Sequence, residues 1–156
     1  MLRRAPTRPA TCALIVDPDP AFAGVLAERL RPSIVVTTCS AFAKARVHLR
    51  SLTPQFLVTS LTLCEYNGLH LVYLASAAGL ATRSIVYHDQ LDVGLAREVQ
   101  AAGAFFELQS RLPAALPVYT AATLPAMDRR TVTRPDRRQS PRGGRRITDL
   151  HVMAGV

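Results

Sequence analysis

Three polar side chains stand at the ends of apolar runs. Asp17 closes Cys12-Ala-Leu-Ile-Val16, Ser60 closes Phe56-Leu-Val-Thr59, and His88 closes Ser84-Ile-Val-Tyr87. Serine, histidine and aspartate are the components of an acyl-transfer triad, in which histidine takes the serine proton and the acid orients the histidine. Two features argue against that chemistry. A triad needs histidine between serine and acid, whereas the strand order derived below puts serine in the middle. No Gly-x-Ser-x-Gly elbow surrounds Ser60, whose neighbours are Thr59 and Leu61. The expectation is that Ser60 and His88 hydrogen-bond to each other and fill a pocket without catalysing anything. A small hydrolytic or ligand-binding domain using Asp17, Ser60 and His88 is the alternative.

Other reactive side chains form no pattern. Cys12, Cys39 and Cys64 are an odd number without close spacing, so neither a disulfide framework nor a zinc site is expected, and a reducing cytosol fits best. Cys64 reads as an ordinary loop cysteine, since the sequence places no cation near it to activate the thiol. His70 reads as a solvated polar residue, and His151 carries no pattern. Arg134 and Arg138 have the Arg-x-x-x-Arg spacing of cyclic-dinucleotide-binding PilZ domains, but the rest of that signature is missing. The stretch Asp17-Pro-Asp-Pro20 has none of the glycines of a dinucleotide fingerprint, and no P-loop is present. No cofactor and no metal is expected.

Strand-like and helix-like segments alternate around these residues. Cys12–Val16 is the first strand. Asp19 is placed to cap a helix that begins with Pro20, with Phe22, Val25, Leu26 and Leu30 on one face. Ser33–Thr37 is the second strand, and Ser40 caps the next helix. Phe56–Ser60 is the third strand, followed by a loop to Gly68 and an apolar helix over Leu69–Ala78. Ser84–His88 is the fourth strand, with a helix over Asp89–Ala102 stopped by Gly103. Phe105–Leu108 is the fifth strand. A last helix over Arg111–Leu124 must place Pro113 and Pro117 in its first turn or be disrupted. Such alternation predicts a doubly wound, three-layer α/β/α domain with a five-stranded parallel sheet in the flavodoxin-like order 2-1-3-4-5. The strands are apolar throughout, as helices on both faces require.

Length and charge set further bounds. The 156 residues suffice for one core-forming domain, and 49% hydrophobic residues exclude a wholly disordered chain. No apolar run reaches the roughly 18–20 residues of a membrane span, so a cytoplasmic protein is expected. The net charge is +8, but residues 12–127 hold eight basic and eight acidic side chains. The excess lies at the ends. Arg3, Arg4 and Arg8 precede the body, and residues 128–156 hold eight arginines against Asp128, Asp136 and Asp149. The expected division is a flexible basic segment over 1–11, a folded domain over 12–124, and a disordered Arg-rich tail over 125–156. A partner drawn by charge would meet the tails rather than a groove on the domain. The tail arginines, among them Arg137, Arg138, Arg142, Arg145 and Arg146, offer contacts to an acidic protein or, non-specifically, to nucleic acid.

The stretch Pro54–Leu71, with the Asn67-Gly68 turn, and the Ala101-Ala-Gly-Ala104 turn before the fifth strand resemble response-regulator receiver domains. The resemblance spans about residues 12–124. It implies an acid pair after the first strand that holds a divalent cation, and here Asp17 is followed by Pro18. It implies a phosphoacceptor aspartate, and Ser60 stands there. It implies a hydroxyl residue ending the fourth strand, where His88 stands. It implies a lysine ending the fifth strand, where Ser110 stands, or Gln109 with a one-residue shift. A serine needs a positioned base to become a nucleophile, and the pairing cation for a phosphoryl group is missing.

The resulting expectation is a stand-alone pseudo-receiver of a two-component type of signalling system. It is not an enzyme and acts through protein contacts without aspartyl phosphorylation. The resemblance implies a histidine kinase, an output protein or a second copy of the chain as partner. It also implies an interaction face made by the fourth helix, fifth strand and fifth helix, with Phe105, Phe106, Glu107, Leu112 and Leu116. Glu107 takes the place of the family's switch aromatic. A nucleic-acid-associated regulator using the tail is the other alternative.

Overall fold

Each apolar run of the body has the length of one strand, and each is followed by a stretch able to form a helix over it. The computed structural model describes residues 11–64 and 66–122. The runs become β1 (Cys12–Val16), α1 (Pro20–Leu30), β2 (Val35–Cys39), α2 (Phe42–Leu52), β3 (Phe56–Ser60), β4 (Thr62–Leu63), β5 (Tyr66–Asn67), α3 (Leu69–Ala77), β6 (Arg83–His88), α4 (Val93–Ala101), β7 (Phe105–Leu108) and α5 (Leu112–Ala121). The arginine-rich ends, including Arg137, Arg138, Arg142, Arg145 and Arg146, lie outside the described residues, as do Glu65, Leu124 and His151.

Five strands form one parallel sheet in the order β2-β1-β3-β6-β7. Counted along this sheet alone, the order is 2-1-3-4-5, the flavodoxin-like arrangement. Alternation along the strands sends Ala13, Ile15, Val58, Ile85, Tyr87 and Phe105 to one face. They meet Leu26 and Leu30 of α1 and Leu112 and Leu116 of α5. Leu14, Val16, Leu57 and Val86 take the other face, against Leu49 of α2, Leu71 and Val72 of α3 and Val99 of α4. Among the described residues, no helix is long and apolar enough to cross a membrane.

Local chemistry explains most of the boundaries. The Asp19 carboxylate accepts a hydrogen bond from the Ala21 N–H at 2.9 Å, so α1 starts at Pro20 as expected. Gly103 has φ +85° and follows the last residues of α4, a left-handed stop that favours glycine.

Several expectations are corrected. The second strand begins at Val35, because residues 31–33 form a turn and the Ile34 N–H still bonds to the Leu30 carbonyl at 3.2 Å. Ala41, not Ser40, stands at the N-cap of α2, without a side-chain cap. The fourth helix starts at Val93 instead of Asp89, because Asp92 caps it through the Gly94 and Leu95 N–H groups at 2.7 and 3.1 Å. That leaves Leu91 and Val93 67% and 60% exposed, so neither is a core position. The segment leading to Gly68 contains the β4–β5 antiparallel hairpin. Pro117 lies inside α5, yet the helix continues to Ala121. Pro117 is exposed, so water can reach the region where its N–H is missing, and the buried Leu112 and Leu116 keep the helix on the core.

Burial also corrects the expected interaction face. Phe105, Leu112 and Leu116 are buried in the core beneath α1 and α5 and are unavailable to a partner of the folded chain. Phe106 and Glu107 are half-buried. The apolar side chains that reach solvent there are Leu91, Val93 and Val118.

Arg83, the first residue of β6, ties the end of α5 to the sheet. Its guanidinium Nη1 donates to the carbonyls of Tyr119 at 2.6 Å and Ala122 at 3.2 Å, and its Cζ lies over the Phe56 ring, 5.5 Å from the ring centre. Carbonyls at a helix C-terminus lack intrahelical partners and carry partial negative charge, so a cation there is doubly favourable. Burial lowers the Arg83 pKa from its ordinary value. Arg83→Ala is expected to lower stability by about 1–3 kcal/mol, read by urea unfolding, with early proteolytic cleavage near residue 122.

Candidate functional site

The parallel register brings the chemistry-bearing residues to the carboxyl edge of the sheet. Asp17 follows β1, Ser60 ends β3 directly opposite Tyr87 of β6, and His88 pairs with Leu108 of β7. Strand alternation puts Asp17, Ser60 and Tyr87 on the side of α1 and α5, while His88 continues toward the opposite face.

Asp17 is a buried carboxylate, 5% exposed, and both of its oxygens are engaged. Oδ1 accepts from the Asp19 N–H at 2.6 Å. Oδ2 accepts a short hydrogen bond from the Tyr87 hydroxyl, which reaches across β3. The Tyr87 ring is 1% exposed and packs against Phe22 of α1, with ring centres 5.7 Å apart. Burial first, then the bond to Asp17 and the charges of Asp17 and Asp19, hold the Tyr87 phenol far above its ordinary pKa. The phenol therefore stays a proton donor, clamped on the carboxylate.

Ser60 and His88 do not join each other. The Ser60 hydroxyl donates to the Thr62 carbonyl at 3.1 Å, inside its own turn. His88 Nδ1 lies 3.1 Å from Asp89 Oδ1 and 3.3 Å from the Gln90 N–H. The expected Ser60–His88 hydrogen bond is thus replaced by two local ones, because strand alternation separates the side chains. Ser60 has no base bonded to it, so nucleophilic catalysis lacks its first requirement. Ser110 is exposed, and the Gln109 N–H extends the ladder to the His88 carbonyl at 2.8 Å.

The donor set does not suit a divalent cation. Pro18 and Ser60 supply no carboxylate, and Asp17 has committed both oxygens to Asp19 and Tyr87. Magnesium is usually held through one or two carboxylates with substrate phosphates, in near-ideal octahedral geometry. Among the described residues, no group of three metal-ligating side chains is assembled.

A cavity of about 350 Å³ lies beside Asp17 but opens toward the β2 edge, lined by Thr38, Cys39, Lys44 and His48 as well as Asp17. Burial raises the Cys39 thiol to about 11, partly offset by Lys44. Tyr87, Cys39, Lys44 and His48 were not singled out by sequence. Tyr87 hid because it sits one position before the strand end, and only the register with Ser60 marks it. The expected tail contacts lie outside the described residues.

Gly68 fixes the near wall. It starts α3, and its N–H donates to the Leu61 carbonyl at 2.8 Å. A Cβ at this position would lie 2.0 Å from the Ser60 carbonyl oxygen and 2.7 Å from Thr59 Oγ1. Those are backbone and buried neighbours that cannot give way. Gly68→Ala is expected to cost about 3 kcal/mol or more, measured by chemical denaturation, with Gly24→Ala, which meets open space, as the tolerated control.

Tyr87→Phe is expected to cost about 1.5–3 kcal/mol at neutral pH, since it removes a hydrogen bond to a buried charged group. The pH dependence has a defined sign. The unfolded chain releases the phenolic proton above its ordinary pKa of 10.0, while the folded chain retains it. This contribution to stability is full below pH 10 and falls by about 1.4 kcal/mol per pH unit above it. Urea unfolding at several alkaline pH values should show a fall that is steeper in the wild type than in Tyr87→Phe by about 1.4 kcal/mol per pH unit above pH 10, the variant keeping the contribution of the buried Cys39 thiol.

No protein-family model matches the sequence, and neither does any curated protein. Solved structures do match. The two-component response regulator of the LuxR family from Aurantimonas sp. SI85-9A1 has 23% identity and a TM-score of 0.62, over 70% of this chain and 81% of that one. The CheY-like receiver domain protein from Methanospirillum hungatei JF-1 has 16% identity and a TM-score of 0.66, over 71% and 90%. The receiver domain of the stress response regulator RcsB from Escherichia coli has 18% identity and a TM-score of 0.64, over 72% and 92%. At these identities the shared property is the architecture, and the chain has the fold of response-regulator receiver domains.

Proposed function

We propose that this protein is a receiver-type signalling module that works through protein contacts without aspartyl phosphorylation. The carrying observation is the state of the carboxyl edge. Ser60 stands where an acyl phosphate would need a carboxylate, and the one retained acid, Asp17, is held by Tyr87 and Asp19. No cation from β7 faces the position, since Gln109 and Ser110 follow that strand. Each change removes a separate requirement of phosphoryl transfer: nucleophile, metal cradle and charge compensation.

The surface of α4, β7 and α5 supports the contact reading. Leu91, Val93 and Val118 are each at least 60% exposed on or beside these elements. Glu107 accepts from the Leu108 N–H at 2.9 Å and from the Tyr119 hydroxyl at 3.3 Å, so its side chain is fixed locally. A histidine kinase, an output protein or a second copy of the chain are the partners this reading admits. A second reading, a regulator that touches nucleic acid, rests on the eight arginines of residues 128–156. It requires affinity that falls steeply with salt.

The test is phosphorylation of the full-length protein by acetyl phosphate with magnesium, read by intact mass spectrometry. No phosphate adduct is expected for the wild type, and Ser60→Ala should bind partners unchanged. Ser60→Asp alone should also stay unmodified, because Tyr87 still occupies Asp17. A stable phosphate on wild-type Ser60 would overturn the proposal.

A further inference from the structure

The folded body is neutral in sum, but its charges are segregated. Between Arg29 and His88 the sequence has six lysine or arginine residues and a single carboxylate, Glu65. Asp89, Asp92, Glu98 and Glu107 follow, against Arg97 and Arg111, on or near α4 and β7 at the other side of the sheet. The expectation that charge would draw partners only to the chain ends is therefore incomplete. Arg31 is neutralised by Glu28 at 2.9 Å. Lys44, Arg46 and Arg50 of α2 have no carboxylate partner among the described residues.

Two of these cations line a groove. About 440 Å³ of open space lies between α2 and α3. One wall is the stripe Phe42, Arg46 and Arg50, spaced four residues apart and so stacked along one helix face. The other wall is Tyr73, Leu74 and Ala77 of α3. The floor is braced. Phe42 stacks on Tyr66 with ring centres 4.4 Å apart and meets the edge of His70 at 6.4 Å. Tyr73 is 51% exposed, a large amphipathic side chain left open to solvent.

We propose that this groove binds a short acidic segment of a partner protein. Carboxylates would pair with Arg46 and Arg50, and one apolar side chain would rest on Phe42, Leu74 and Ala77. This inference rests on the protein-contact reading above and adds the chemistry of the partner. Arginine suits the task because its planar fork bonds a carboxylate in bidentate fashion. The chain's own tail is an unsuitable occupant, since its eight arginines would repel the wall. Single-stranded nucleic acid fits less well, because successive bases need a row of exposed aromatic platforms, and in this lining only His70 and Tyr73 are exposed rings, Phe42 being half-buried under Tyr66 and His70. A second copy offering its Asp89–Asp92 stretch is an outcome that the experiment separates.

The experiment uses the full chain and a short fluorescein-labelled peptide of aspartate and glutamate with a central Leu-Phe pair, read by fluorescence anisotropy at physiological salt. Saturable binding is expected. Arg46→Glu with Arg50→Glu should weaken it by about tenfold or more, and Tyr73→Ala should weaken it measurably. Arg137→Glu with Arg138→Glu should leave it unchanged within about twofold, as expected for charges outside the contact. All three variants should melt near the wild type by circular dichroism, since the altered groove side chains are exposed. Four results overturn the proposal. The peptide does not bind. The tail variant loses as much affinity as the groove variant. A control peptide with Ser-Ser in place of Leu-Phe binds equally well. Sedimentation shows a dimer that the groove variant dissociates. Failure here leaves the Ser60 phosphorylation experiment standing, and phosphate on Ser60 would leave the groove standing.

Discussion

A carboxylate buried as deeply as Asp17 must be hydrogen-bonded or neutralised, because an uncompensated buried charge costs several kcal/mol or more. This chain meets that requirement from within. The Asp19 N–H holds one oxygen and the Tyr87 hydroxyl holds the other. The consequences spread outward. Tyr87 must cross β3, so the residue between it and Asp17 has to be small, and Ser60 is small. The Tyr87 ring must be packed, and Phe22 of α1 packs it. α1 must start close by, and Asp19 both turns the chain and caps the helix. The carboxyl edge thus has a closed hydrogen-bond network in the place where a charged, metal-dependent pocket would stand open.

That closure bears on the proposed signalling role. A phosphorylation switch needs a site whose charge state changes and an element that feels the change. Here the carboxylate, the phenol and the serine are each satisfied inside the fold. On the proposed reading, recognition falls to surfaces whose side chains are not satisfied internally. Among the described residues, the exposed apolar side chains around α4 and the cationic wall of α2 are two surfaces of that kind. They lie toward opposite edges of the sheet and differ in character, one acidic and apolar, the other basic and aromatic.

The architecture was legible in the sequence because it rests on signals that are local and repeated. Five apolar runs, alternating with helical stretches and punctuated by Asp19, Pro20 and Gly103, leave little freedom in topology. The helix ends were read less well where caps compete. Asp89 and Asp92 are both able caps, and only the packing of Val99 and the position of β7 select Asp92. The site was half legible. Asp17 and Ser60 follow from strand ends, but the third member is Tyr87 rather than His88. One residue changes the face in a strand, and sequence alone places strand ends no better than that. Phe105, Leu112 and Leu116 were misread as contact residues for a related reason: an apolar residue near a surface element is core or contact according to a rotation that the neighbouring helix decides.

The clamp of Arg83 on the last turn of α5 fixes a point of departure. Arg83 begins β6, so the chain leaves the described body at the amino end of the strands. Tyr87 lies four residues further along the same strand, roughly 13 Å away at strand spacing. Ala122 is thus anchored on the side of the sheet away from Asp17 and Tyr87, so a group joined at that residue starts from the end of the domain opposite the closed carboxylate.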